Sequence, residues 1–214
     1  MNVFILCTGR CGSTTFIKAC EHITNYSSAH ESNKAFIGQQ RFRYPEKHIE
    51  ADNRLAWFLG RLDEAYGDDA FYIHLTRNRD DTASSYAARH HSKNIITAYR
   101  TGILMGCPSY VRPLDVCLDF YDTVNSNITC FLSNKTKRMP FRLEHAKKDF
   151  QVFWDRIGAE GDLAAALSEW DVSHNPTGEK QRRSYGDKLK KKIVRAFGKG
   201  KYYFKTWTHR GRSI

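Results

Sequence analysis

The residues best suited to hold a ligand stand together in CTGRCGSTTF, residues 7–16. Gly9 and Gly12 permit tight backbone turns, with Arg10 and Cys11 between them. Ser13, Thr14 and Thr15 bring a run of hydroxyls, and Arg10 a permanent positive charge. The apolar run Val3–Leu6 leads into this stretch, and apolar residues at helical spacing follow it. A strand, a glycine loop and a helix start, in that order, make an anion trap: backbone N–H groups converge and the helix N-terminus adds positive potential. A loop for ATP would read GxxxxGK[ST], with lysine on the outer phosphates and the hydroxyl on Mg²⁺. Here Ser13 follows Gly12, so that lysine is missing and an ATP-type kinase or ATPase is disfavoured.

A second charged constellation follows a second apolar run. In HLTRNRDDTASSYAAR, residues 74–89, Arg77 closes the strand FYIHLT and Ser85 falls eight residues later, inside the next helix. In a parallel sheet, the ends of both strands open onto one edge. Arg77 and Ser85 are therefore expected beside the glycine loop, where they could bind a second phosphate by charge-assisted hydrogen bonds.

The pair of motifs resembles the sulfotransferases that use 3′-phosphoadenosine-5′-phosphosulfate (PAPS). Arg10-Cys11-Gly12-Ser13-Thr14 matches the family's phosphosulfate loop: a basic residue, one residue, glycine, two hydroxyls. Arg77 and Ser85 match its 3′-phosphate motif, and residues 142–175 look like the closing helices of small bacterial members. The resemblance covers roughly residues 2–175. Arg10 stands where many members have lysine. Gly198-Lys199-Gly200 is a poor match to the common C-terminal Arg-Lys-Gly adenine clamp. The resemblance implies a P-loop NTPase-like α/β fold with PAPS as co-substrate. Gly9, Arg10, Cys11, Gly12, Ser13, Thr14, Thr15, Arg77 and Ser85 would bind it. The reaction implied is in-line sulfuryl transfer to a hydroxyl, less readily an amine, with no metal required.

That chemistry needs a positive group at the leaving phosphate and a base at the acceptor. Arg10 and the loop amides suit the first task, with arginine acting electrostatically and not as a general acid. Two neighbours compete for the second: Glu31, in SSAHES just past the first helix, and His30 beside it. His48, Glu50 and Asp52 form a weaker cluster that could touch the acceptor. His90 and His91, at the end of a helix, read as structural.

The elements that must position these residues follow from periodicity. Strands are expected at 2–8, 71–76 and 140–143. Helices are expected at about 13–24, 51–66, 80–91, 114–133, 144–157 and 161–170. Residues 25–50 read as an irregular polar region near a site. Alternating strands and helices give a single α/β domain, residues 1–178, built on a parallel sheet of few strands flanked by helices.

The formal net charge of +11 lies wholly in residues 179–214, which hold 13 Lys/Arg against Glu179 and Asp187. Residues 1–178 balance at 21 of each sign. This basic tail is expected either to form a terminal helix packed on the body with solvated lysines or to meet an anionic acceptor, head group or membrane surface; nucleic acid is the less favoured partner. No stretch of about 18 apolar residues is present. No signal-like segment precedes Val3, so a cytoplasmic protein is expected, at most peripheral to a membrane. Six cysteines are then reduced thiols, and without a CxxC pair they do not suggest zinc. The acceptor class most compatible with these features is a carbohydrate or lipid-linked hydroxyl. A nucleotide or small-molecule kinase with a degenerate loop and a non-enzymatic anion-binding module remain the alternatives.

Overall fold

Four apolar residues in a row, Val3–Leu6, form β1, and all four are buried. A strand with no polar face must be covered on both sides, which places it in the middle of a parallel sheet. A computed structural model describes residues 1–89, 94–108, 110–172 and 174. The basic segment 179–214, with the expectations attached to it, and His90 and His91 lie outside the described residues.

The elements run β1 (Val3–Leu6), α1 (Ser13–Cys20), β2 (Ser27–His30), β3 (His48–Ala51), α2 (Leu59–Tyr66), β4 (Phe71–Thr76) and α3 (Arg79–Ala87). They continue with α4 (Ile95–Ala98), α5 (Pro113–Leu132), β5 (Arg138–Arg142), α6 (Ala146–Ile157) and α7 (Leu163–Ser168). The sheet order is β2-β3-β1-β4-β5, all parallel. Val3 of β1 pairs with Ile49 on one side and Phe71 on the other. The chain order therefore reverses at β1, and the crevice outside its C-terminal end is where such sheets bind ligands.

Alternation along β1 divides the core. Val3, Ile5 and Cys7 join Phe16, Phe150 and Phe153 beneath α1 and α6. Phe4 and Leu6 point the other way, into a cluster with Leu55, Tyr86 and Phe120. Helix α5 starts with Pro113 in its first turn and buries Val116, Phe120, Val124, Ile128 and Leu132, one residue per turn. Phe16 is the hub of the first cluster: its ring centroid lies 4.9 Å from Phe141, 5.1 Å from Phe153 and 5.4 Å from Phe150.

The parallel α/β sheet agrees with expectation, but it has five strands where periodicity gave three. Residues 25–50 are not wholly irregular, since they contain β2 and β3. The expected helix over 51–66 is split. Ala51 ends β3, Asp52 accepts a hydrogen bond from Arg54 N–H to start a 3₁₀ turn at Asn53–Trp57, and α2 begins only at Leu59. The first helix stops at Cys20, short of residue 24. Helix α3 starts one residue earlier than expected because the Asn78 side chain, 3.1 Å from Asp81 N, caps it.

Phe16→Ala is expected to destabilise the protein by about 3–5 kcal/mol. Val152→Ala, at an exposed position of α6, should fall within about 0.5 kcal/mol of the parent. Urea denaturation of the two variants measures both values.

Candidate functional site

The loop between β1 and α1 adopts a conformation that few side chains tolerate. Gly9, Arg10 and Gly12 all have positive φ, at 79°, 59° and 93°. Successive backbone units near the left-handed region turn N–H groups into a concave nest. Gly12 is the N-cap of α1 and has no side chain to cap it, so the first-turn amides of Ser13, Thr14 and Thr15 receive no side-chain cap. All three hydroxyl residues are partly exposed at this mouth.

The loop is held from below. The Tyr86 hydroxyl, from α3, donates to the carbonyl of Thr8 at 2.7 Å. The Asn53 amide donates to the same carbonyl at 3.3 Å. A Cβ on Gly9 would lie 2.5 Å from Tyr86 Oη and 2.9 Å from Asn53 Nδ2. A Cβ on Gly12 would lie 2.6 Å from Leu143 Cδ1. Each glycine is thus required twice, by its φ and by close approach. The Cys11 side chain is fully buried beside Cys7. The interaction between the two thiols lowers the Cys11 pKa and, with burial, pushes that of Cys7 well up. Among the loop residues expected to bind ligand, Cys11 can therefore contribute backbone only.

The two charged motifs meet. Arg10 Nε donates to Ser85 Oγ at 3.1 Å, across 75 residues of sequence. Arg77 Nη1 donates to the carbonyl of Arg10 at 3.3 Å, and Tyr121 holds the Arg77 carbonyl at 2.9 Å. Arg77 also lies 3.7 Å from Asp81. Burial lowers the Arg10 pKa, and the nearby charges of Arg89 and Arg77 lower it further. The result is a cluster of cations at the switch point of the sheet, where an anion would be most strongly attracted.

His30, at the C-terminal end of β2, is the nearer of the two base candidates to the loop: its Nε2 lies 3.2 Å from Ser13 Oγ. Glu31 is turned elsewhere. Its φ is 57°, its N–H donates to Ala51, and its carboxylate is bound by Arg54 Nη2 at 2.7 Å, with Lys34 at 3.9 Å. Arg54 in turn contacts Asp52 Oδ1 at 3.4 Å, and Arg41 contacts Asp52 Oδ2 at 3.2 Å. Burial raises the Asp52 pKa, although the Arg54 N–H and both guanidinium groups oppose the rise.

The suggestion that His48, Glu50 and Asp52 reach an acceptor is corrected here. They are 6%, 0% and 1% exposed, because β3 is an inner strand. His48 Nε2 lies 3.1 Å from Glu50, which also accepts from Ser32 N–H at 2.9 Å and Ser32 Oγ at 2.5 Å. This buried carboxylate braces the turn after β2, next to His30. Arg54, Tyr86 and Arg89 were not singled out from the sequence, and Asn53 only as a possible helix cap. Their only signal is helical spacing in α3: Tyr86 and Arg89 are neighbours of Ser85, the latter four residues on.

No family model matches the sequence, and no curated protein matches it. Among solved structures, the chain is similar to the sulfotransferase domain from the curacin biosynthetic pathway, with a TM-score of 0.50 and 13% identity, covering 85% of this chain and 94% of that one. It is also similar to mouse sulfotransferase SULT7A1 complexed with PAP, with a TM-score of 0.50 and 14% identity, covering 79% of this chain and 64% of the mouse chain. At these identities the likeness concerns architecture, which is the one the loop motifs led us to expect.

Gly9→Ala should cost about 2–4 kcal/mol, from left-handed strain plus overpacking. Tyr86→Phe removes the clashing oxygen, so the same Gly9→Ala change made in that background should cost less. A double-mutant cycle by urea denaturation reads the difference.

Proposed function

We propose that this chain, whose fold is that of the sulfotransferases, moves a sulfuryl group from PAPS to a hydroxyl acceptor. One observation carries the reading: two anion-binding motifs 75 residues apart are joined by the Arg10–Ser85 hydrogen bond at the switch point of the sheet. A donor with phosphate groups at two positions of one nucleoside suits such a double site. The mouse neighbour was crystallised with PAP, which supports a nucleotide of this kind.

In the proposed reaction the acceptor oxygen attacks sulfur in line with the bridging oxygen of the donor. The sulfur–oxygen bond to phosphate breaks, and negative charge builds on the departing phosphate. Such a loose transfer is accelerated chiefly by positioning and by neutralising that charge. The loop amides, the hydroxyls of Ser13, Thr14 and Thr15, and the Arg10 guanidinium supply the neutralisation. Arg77 and Ser85 hold the second phosphate. The acceptor loses its proton to His30, whose Nε2 is already in hydrogen-bond contact with the loop at Ser13. Glu31 is the less suitable base, since Arg54 occupies its carboxylate. We assign it to positioning the turn that carries His30. The leaving charge meets arginine and backbone dipoles, so the step as written needs no metal.

For the acceptor we favour a carbohydrate or lipid-linked hydroxyl, with the 13 Lys/Arg of residues 179–214 drawing the protein to an anionic surface. Among the described residues, no helix is long and apolar enough to cross a membrane.

Calorimetry tests the donor. Adenosine 3′,5′-bisphosphate should bind without Mg²⁺, and Arg77→Ala should weaken it about tenfold or more, the usual effect of losing a charge-assisted hydrogen bond. Preference for ATP with Mg²⁺ would instead favour the kinase alternative. With labelled PAPS and a panel of sugars, lipids and phenols, His30→Gln should lower turnover about 10²–10⁴-fold, the range for loss of a general base. Glu31→Gln should lose less. The reverse order would return the base to Glu31.

A further inference from the structure

The turn that leaves α3 brings a third guanidinium to the cluster. Ala88 keeps a helical turn beyond Ala87, and Arg89 N–H donates to the Tyr86 carbonyl at 2.9 Å. Arg89 therefore follows Ser85 by about one turn, on the side of the helix where Ser85 meets Arg10. Its Nε and Nη2 atoms are closed off from solvent, yet among the described residues neither has a hydrogen-bond partner. A guanidinium carries five N–H donors and stays charged at any physiological pH. Burying two of its nitrogens unpaired is costly, and placing the group near two like charges adds to the cost. Arg10 registers that proximity, for Arg89 is the largest charged contributor to its lowered pKa.

Such an arrangement is stable only if something else supplies the acceptors. A phosphomonoester dianion does so. It has three non-bridging oxygens and two charges, and it pairs with arginine forks in a planar, two-bond geometry.

We propose that Arg89, beside Arg10, adds a further guanidinium to the Arg77 and Ser85 subsite for the second phosphate, making it a dianion site that prefers a phosphomonoester there. The nature of the nucleotide rests on the donor reading above; the dianion site does not. The site accounts for orphaned donors that no contact in the described protein satisfies, and it makes phosphate recognition local to the loop and α3.

The test uses the full chain and the variants Arg89→Gln and Arg89→Lys. Probes are adenosine 3′,5′-bisphosphate and adenosine 5′-monophosphate by calorimetry, and inorganic phosphate by the rise it causes in Tm. Arg89→Gln should weaken the bisphosphate about tenfold to a hundredfold and leave the monophosphate unchanged, so preference for the second phosphate collapses. It should also abolish most of the phosphate-induced Tm rise. The ligand-free variant should melt at the parent temperature or above, because an unpaired buried charge has been removed. Arg89→Lys, which keeps the charge and loses the fork, should fall between. Equal loss for both nucleotides, or a fall in ligand-free Tm alongside lost binding in both variants, would mean a structural residue and overturn the proposal. If the parent protein ignores both nucleotides but still binds inorganic phosphate through Arg89, the donor reading fails and the dianion site stands. Phosphate binding indifferent to Arg89 sinks the site whatever the nucleotides do.

Discussion

The carbonyl of Thr8 accepts hydrogen bonds from the Tyr86 hydroxyl and the Asn53 amide at once. Those two bonds fix the point at which the chain leaves β1. From there the backbone must rise over a buried tyrosine with no room for a Cβ at residue 9. It does so through three positive-φ residues, and the turn delivers the uncapped start of α1 to the edge of the sheet. The same tyrosine belongs to α3, so the helix that supports the loop from below also carries Ser85 to its side, with Arg89 in the turn that follows. Position and charge are set by one contact.

Charge is distributed with equal economy. The acidic side chains of the described fold that lie nearest the site are already engaged. Asp52 is shared by Arg41 and Arg54, Glu31 by Arg54 and Lys34, and Asp81 lies by Arg77. Glu50 is sealed in the sheet with His48 and Ser32. The positive field at the loop thus survives in a domain whose formal charges balance. Strain in the left-handed Arg10 and repulsion among arginines are tolerated because the aromatic cluster around Phe16 and the long face of α5 hold the surrounding sheet.

Much of this was legible in the sequence, for identifiable reasons. The inner strands β1 and β4 announce themselves as apolar runs, VFIL unbroken and FYIHLT interrupted by His74. The missed strands β2 and β3 read SSAH and HIEA, four residues each; neither has an apolar run, and the alternation of HIEA is too short to stand out in a polar stretch. β2 is an edge strand and has little apolar surface to bury. β3 is an inner strand whose His48 and Glu50 are tolerated only because each partners the other and a serine. Polar residues that satisfy one another across turns leave no periodic trace. Likewise, spacing could bring Arg77 and Ser85 to the loop through the rule that parallel strands share an edge. It could not choose between His30 and Glu31, because Arg54, which occupies the carboxylate, comes from a 3₁₀ turn that looked like the first turn of a longer helix.

The Arg10–Ser85 hydrogen bond has a consequence for how occupancy responds to surroundings. Ser85 Oγ accepts at Arg10 Nε, the donor to which the proposed anion would present an oxygen of its own. At Arg10 the proposed anion would exchange one such bond for another, while the Arg89 donors and the uncapped amides of α1 would gain partners. The balance of charge would change as well: clustered cations would gain a polyvalent counter-ion. Occupancy should then follow ionic strength closely. Mobile anions compete for the same cluster, and the screening length contracts from about 10 Å at 0.1 M salt to about 3 Å at 1 M. On the proposed reading, the salinity of the medium becomes one of the regulators of the loop.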